Sequence, residues 1–416
     1  MSILSAMSIP RVMSPRRPPR PTAAFLAAVA LVSGIAASAS AEPLRVGNAV
    51  LEPVDLAALP GWQADETRAA FAAFRRTCAA PRPIPPQAAG VAGSAADLAA
   101  ACAAADLGPD RVEGDQVKED RSRRFFRERF DAYRVVRPAE GAEPERRAGF
   151  LTGYFEPQLD GSLTPGPGYA AAVLARPDDL VTLGPGETRP GLDPAFRAGR
   201  QGEAGFEPYP DRAAIEDGVI AARTRPLLWL RDAVDLFVLQ VQGSGRVRLP
   251  DGSAIRVLYD GKNGRPYTSI GKLLVGEGHL ALNDLSLARW TAWLRAHPDH
   301  ARRLMRMNAS YIFFRTEPVT DAALGPPGAA GAPLSPGRSL AVDSSLWRYG
   351  LPFWLEGKLP GQPGSGHLVI AADTGSAILG PARGDLYVGT GAAAGVAAGD
   401  LHTKPGFVVL LPKPAP

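Results

Sequence analysis

The apolar positions of this 416-residue chain change period near residue 149. Before it, apolar residues recur three and four apart, and ADETRAAFAAFRRTCAA (64–80), SAADLAAACAAADL (94–107) and SRRFFRERFDAYRVV (122–136) are predicted helices. Asp65 and Glu66 suit the first turn of one and Ser94 caps another, while PRPIPPQ (81–87) interrupts the run. After it the alternation is strand-like. GFLTGYFEP (149–157) predicts a strand ending in a turn, and 158–222 is rich in Gly and Pro with short pieces such as AAVLA. LFVLQVQ (236–242) reads as a strand, Gly243-Ser244-Gly245 as a tight turn, and RVRL-PDG-SAIRVLY as a hairpin. Helices are expected at 284–297 and 299–307, a strand at 310–315, and a linker or long loop at 324–337. RSLAVD, PFWLEG, GHLVIAAD, DLYVG and GFVVLLP then predict short strands that would make a small β-barrel. The expected class is mainly β with N-terminal helices (α+β).

Composition changes this picture at the N-terminus. Arg11, Arg16, Arg17 and Arg20 precede the apolar run AAFLAAVALVSGIAA (23–37), and Ala39-Ser40-Ala41 follows as a small-x-small site. That layout is a cleavable secretory signal over residues 1–41, its apolar run too short for a comfortable membrane span. The same four arginines account for the whole net charge of +4. The remaining chain is balanced, and no basic stripe interleaved with aromatics suggests nucleic acid. Cys78 and Cys102 are the only cysteines, equally compatible with one disulfide or two buried thiols. Five histidines without metal-ligand spacing leave no case for a zinc site, and no cofactor is expected.

Several residues carry candidate chemistry. On a strand, Gln240 and Gln242 would share a face and offer paired amides, which match sugar hydroxyls as donors and acceptors. A solvent-facing strand edge would look the same. Tyr154, Phe155, Tyr259 and Tyr267 lie near turns, where rings can stack on sugars or fill a core. Lys262-Asn263-Gly264 sits in a donor-rich loop. Asp373 closes the run GHLVIAAD, and Asp385 opens DLYVG twelve residues later. If their strands neighbour each other, both carboxylates can face one cleft, where burial and like charge would keep one of them protonated. Two turn-forming aspartates are the bland alternative. Asp373-Thr374-Gly375 also has the form of an aspartic-protease triplet, but the second triplet such an enzyme needs within one chain is missing, since Asp343-Ser344-Ser345 lacks glycine.

Taken together, TGYFEP (152–157), VQGSG (241–245), YDGKNGRPYTSIGKLL (259–274), NASYIFFR (308–315) and AADTGSAILG…GDLYVGTGAAAGVAAG (371–399) resemble the membrane-bound lytic murein transglycosylase A family. The resemblance implies a double-psi β-barrel built from 42–157 plus 317–416, a smaller β-domain inserted at 158–316, and a groove between them for a peptidoglycan strand. It implies cleavage of the β-1,4 bond between N-acetylmuramic acid and N-acetylglucosamine with a 1,6-anhydro product. Asp385 would then be the catalytic acid with Asp373 beside it, and Thr152, Tyr154, Gln240, Gln242, Ser244, Asn263 and Tyr267 would bind substrate. A periplasmic location is expected. The lipid-anchor cysteine common in the family is missing after the signal, which favours a form without that anchor. A non-catalytic peptidoglycan-binding protein would use the same groove.

Overall fold

The computed structural model describes residues 44–80, 92–106, 115–138, 147–184, 187–361, 364–375 and 377–415. The predicted signal segment and the proline-rich break at 81–87 lie outside them. Among the described residues no helix is long and apolar enough to cross a membrane.

Two sheets organise the chain. The larger has ten strands, in the order Arg45–Val46, Ala49–Val54, Phe130–Val136, Gly406–Pro412, Pro352–Glu356, Gly366–Asp373, Ser339–Ala341, Arg383–Thr390, Phe150–Glu156 and His402–Thr403. Its strands come from both ends of the described chain. The second has six, in the order Ile312–Pro318, Ala254–Lys262, Ser244–Arg248, Gln158–Ser162, Pro226–Leu230 and Ala171–Leu174. All six come from the intervening stretch. A three-stranded sheet, Val181–Thr182, Ala198–Gly202 and Gly205–Pro208, adjoins them in sequence. The expected mainly β character with some helices is therefore present. No closed barrel forms among the described residues: the pairing order of the large sheet is open, and its edge strands are each two residues long, too short to carry a closing ladder.

Burial on both faces explains why the strands of the large sheet read as continuous apolar runs. Leu368 and Ile370, Trp354, and Val408 and Leu410 face one cluster with Trp62, Phe74 and Phe126. Their neighbours Val369 and Ala371, Phe353 and Leu355, and Phe407 and Val409 face a second cluster with Leu151, Leu340 and Leu386. The first cluster is covered by helices Thr67–Cys78, Ala95–Asp106 and Asp115–Arg129, and a disulfide joins Cys78 to Cys102 across the first two. Asp65 pins this layer to the sheet: its buried carboxylate accepts from both the Arg338 guanidinium (3.0 and 2.9 Å) and the Leu368 amide (3.1 Å).

Three expectations are corrected. The third helix ends at Arg129, and Phe130–Val136 is a strand; Phe130 and Val135 point to opposite clusters, as period two requires. The predicted strand at 236–242 is the helix Ala233–Gln242. Asp232 caps its N-terminus by accepting from the Asp235 amide at 2.8 Å, and Gly243 ends it in the left-handed region at φ +79°. Three further helices, Arg212–Glu216, Ile270–Gly276 and Ala392–Asp400, have no counterpart in the sequence reading.

The chain passes between sheets at Pro157, immediately after Glu156. That carboxylate is fully buried and takes Nε of Arg256 (2.8 Å) and Nη2 of Arg246 (3.2 Å) from the second sheet. Thr390 of the first sheet donates to it as well (2.8 Å). A buried charge satisfied by partners from both sides fixes how the two sheets meet.

Candidate active site

One rung of the large sheet carries the acids. Ala341 pairs with Asp373 on one side and with Asp385 on the other. Asp385 pairs in turn with Thr152, and Thr152 with His402. The strands of the two aspartates are thus separated by the short Ser339–Ala341 strand, which sets their backbones about 10 Å apart. Ala341 supplies only a methyl group between them.

Asp385 lies deep in the protein with its carboxylate partly open to a cleft. Thr152 Oγ1 donates to Oδ1 at 2.6 Å, and Arg383 Nη2 donates to the same hydroxyl at 2.8 Å. Arg383 and Asp385 are two apart on one strand, so they address the same side of the sheet. Burial pushes the Asp385 carboxyl up to about 6, against the hydrogen bond from Thr152 and the charge of Arg383 and with the charge of Asp373. Asp373 has different partners. Tyr154 donates its phenol to Oδ2 at 2.8 Å, and the Ala329 amide donates to Oδ1 at 2.9 Å. Burial raises the Asp373 carboxyl above its ordinary range, while these donors favour its ionised form. The two acids hold separate hydrogen-bond sets and share no proton, unlike an aspartic-protease dyad.

A cleft of about 670 Å3 opens in front of them. The Asp373 and Asp385 strands and the 326–329 loop form one wall. The other is built from the C-terminal end of helix Ala233–Gln242 and from Tyr259, Lys262, Tyr267, Asn308 and Arg315. Gln240, Gln242, Ser244, Tyr154 and Tyr267 of the sequence-predicted set line it. The helix changes the argument for the glutamines, because residues two apart on a helix do not share a face. Gln240 is buried and donates to the Ile312 carbonyl at 3.4 Å, whereas Gln242 accepts from the Phe155 amide at 3.3 Å. They come to one cleft because the helix ends at its rim. Tyr259 and Tyr267 are each 46% exposed, open enough to meet a ligand. Phe155 is buried instead.

Two of the proposed binding residues act otherwise. Asn263 is wholly buried away from the cleft: its Nδ2 donates to Pro210 and Ala309 carbonyls at 2.9 Å, and its Oδ1 accepts from the Arg265 and Tyr311 amides. With those groups engaged by backbone, the side chain anchors a corner and cannot reach a ligand. Thr152 does not line the cleft; its hydroxyl positions Asp385. Sequence reasoning missed Arg383 and Ala329. The two-residue spacing from Asp385 could have found the first, but nothing local marks the second.

Residues 150–315 match the family described as the MltA specific insert domain, and residues 338–411 match the 3D domain. A solved structure of a membrane-bound lytic murein transglycosylase from Agrobacterium tumefaciens superposes with a TM-score of 0.75 at 34% identity, covering 87% of this chain and 97% of that one. The chain belongs to the membrane-bound lytic murein transglycosylase A family. Among curated members, the Vibrio cholerae enzyme is 35% identical over 198 residues, which is 46% of this chain and 52% of that protein. The Escherichia coli member is 33% identical over 218 residues, 48% of this chain and 58% of that protein. The match thus spans about half the length of these curated relatives of the transglycosylase A family.

Proposed function

We propose that the protein is a peptidoglycan lytic transglycosylase, cleaving the β-1,4 bond between N-acetylmuramic acid and N-acetylglucosamine. The observation that carries this reading is the Asp385 carboxyl, raised to about 6 and lining a cleft of about 670 Å3. Names of the family members that resemble the chain support the same substrate. In this reading the Thr152 hydrogen bond occupies Oδ1, so the acidic proton resides on Oδ2. That proton passes to the glycosidic oxygen as the bond to C1 of the muramic residue breaks. The 6-hydroxyl of the same sugar attacks C1, and the Asp385 carboxylate takes the hydroxyl proton. No water is consumed, so one acid suffices where ordinary glycosidases need two carboxyl groups. Asp373, tied to Tyr154 and Ala329, raises the Asp385 carboxyl through its charge and orients the rung.

We further assign residues 42–157 with 317–416 to a catalytic unit of double-psi type and 158–316 to an inserted glycan-binding unit. The parallel pairings of Ser339–Ala341 with Gly366–Asp373 and of Phe150–Glu156 with Arg383–Thr390 support the first. The arginine-led apolar N-terminal segment favours export to the periplasm.

The test is digestion of purified sacculi with mass spectrometry of the soluble products. Wild type is expected to release 1,6-anhydromuropeptides, and Asp385→Asn to lose at least about a hundredfold in rate while still sedimenting with sacculi. Unchanged turnover by that variant overturns the assignment. Sedimentation without product by both proteins would instead establish a binding protein.

A further inference from the structure

The Lys262-Asn263-Gly264 corner has a use that the proton chemistry leaves open. Three cationic side chains line the cleft: Arg212, Arg315 and Lys262. Arg212 spends its guanidinium on the Asn308 and Ser310 carbonyls (3.0 and 2.7 Å) and pairs with Glu216. Arg315 donates to the Tyr259 carbonyl at 2.6 Å and pairs with Glu317 at 3.2 Å. Lys262 has neither a carboxylate nor a carbonyl partner among the described residues. Burial lowers its pKa, and no neighbouring acid counteracts that, so Asp373 and Asp385 do not hold its charge. Its base is nonetheless held firmly. Lys262 ends the strand Ala254–Lys262 in register with Ile312, and the next residue, buried Asn263, is tied to two separate backbone segments, at Pro210 and at Ala309 and Tyr311. Gly264 completes the corner at φ +74°, where an added Cβ would lie 2.3 Å from the Ala198 amide nitrogen. A partly desolvated ammonium on a fixed strand end, with no protein counter-ion, is matched by an anionic ligand.

We propose that Lys262 is a specificity residue that binds a carboxylate borne by the glycan strand, so that the cleft prefers carboxylate-bearing murein over uncharged chitin-type oligosaccharides. This rests on the peptidoglycan reading above. The chemistry is shared by two sources. Peptide-free strands expose the lactyl carboxylate of muramic acid, and peptide-bearing strands expose carboxylates of the stem.

The experiment is calorimetric binding with the full chain in an Asp385→Asn background, which prevents turnover. The ligands are a chito-oligosaccharide, a peptide-free murein oligosaccharide and a peptide-bearing one of equal length. Lys262→Met is expected to weaken at least one carboxylate-bearing ligand by about tenfold or more and to change the chito-oligosaccharide less than about twofold. Lys262→Arg should retain most of the preference. Loss confined to the peptide-bearing ligand identifies the stem carboxylate, and loss with the peptide-free one identifies the lactyl group. Equal loss on all three ligands, or none on any, overturns the proposal. Melting curves of both variants must match the background, and Lys262→Arg serves as the folded control if the methionine variant melts early. A background protein that binds no murein ligand at all would instead overturn the peptidoglycan reading.

Discussion

At Asp385 burial and hydrogen bonding pull in opposite directions, and burial wins, leaving the carboxyl at about 6. In the proposed role of general acid Asp385 must carry its proton, so turnover is expected to fall about tenfold per pH unit above that value; a pH–rate profile of kcat/KM on sacculi checks it. Thr152 donates to the carboxylate and therefore favours its charged form. Thr152→Val should move the alkaline limb to higher pH, and a shift to lower pH would contradict the positioning role. Stability gives an independent reading with its own sign. The folded-state value lies above the ordinary 3.8, so the folded protein binds the proton more tightly than the unfolded chain. That contribution is full below about pH 4, is lost as pH rises through about 6, and leaves a penalty on the order of 2–3 kcal/mol at neutral pH. Asp385→Asn is accordingly expected to raise the melting temperature at pH 7.5 and to have little effect at pH 3.5. Equal melting shifts at both pH values would remove burial as the cause.

Among elements, the helix Ala233–Gln242 teaches the most. Its apolar run LFVLQVQ has strand composition, yet Asp232 and Gly243 bracket ten residues with an N-cap and a left-handed C-cap. Those two signals were present in the sequence and outrank the β-branched content of the run. Asp232→Ala is expected to cost about 1 kcal/mol, read from chemical denaturation; a null effect would mean that packing of Phe237 and Leu239 alone holds the helix. The GHLVIAAD and GFVVLLP strands were legible because both faces are buried and the runs are unbroken. SRRFFRERFDAYRVV was legible only in its first half. Its aromatics satisfy period 3.6 up to Phe126, and the switch to a strand at Phe130 answers to pairing with Gly406–Pro412, some 280 residues away.

Across the whole molecule, Glu156 is the place where the two sheets are tied, by Arg246 and Arg256 on one side and Thr390 on the other. Removing the carboxylate leaves the buried Arg256 and the half-buried Arg246 without their counter-ion, so Glu156→Ala is expected to destabilise by about 3–5 kcal/mol and to split the thermal transition in calorimetry. A single transition with an unchanged midpoint would show that the sheets are joined by other means. Reducing the Cys78–Cys102 bond, which closes a separation of 24 residues, should cost about 3 kcal/mol, and a smaller loss would place the helical layer's stability in its aromatic packing. Local pattern alone indicated the β-rich class and about half of the helices, and marked the two aspartates and the cleft tyrosines as candidates, because periodicity, caps and motif spacing act over a few residues. Which groups touch was decided only by tertiary structure. Ala341 lies between the acids, Ala329 reaches Asp373, Asn263 turns inward while Lys262 faces the cleft, and Glu156 bridges two sheets. These contacts join residues dozens to hundreds apart, and a contact of that kind leaves no periodic trace in the chain: it exists only once strand register has brought the partners together.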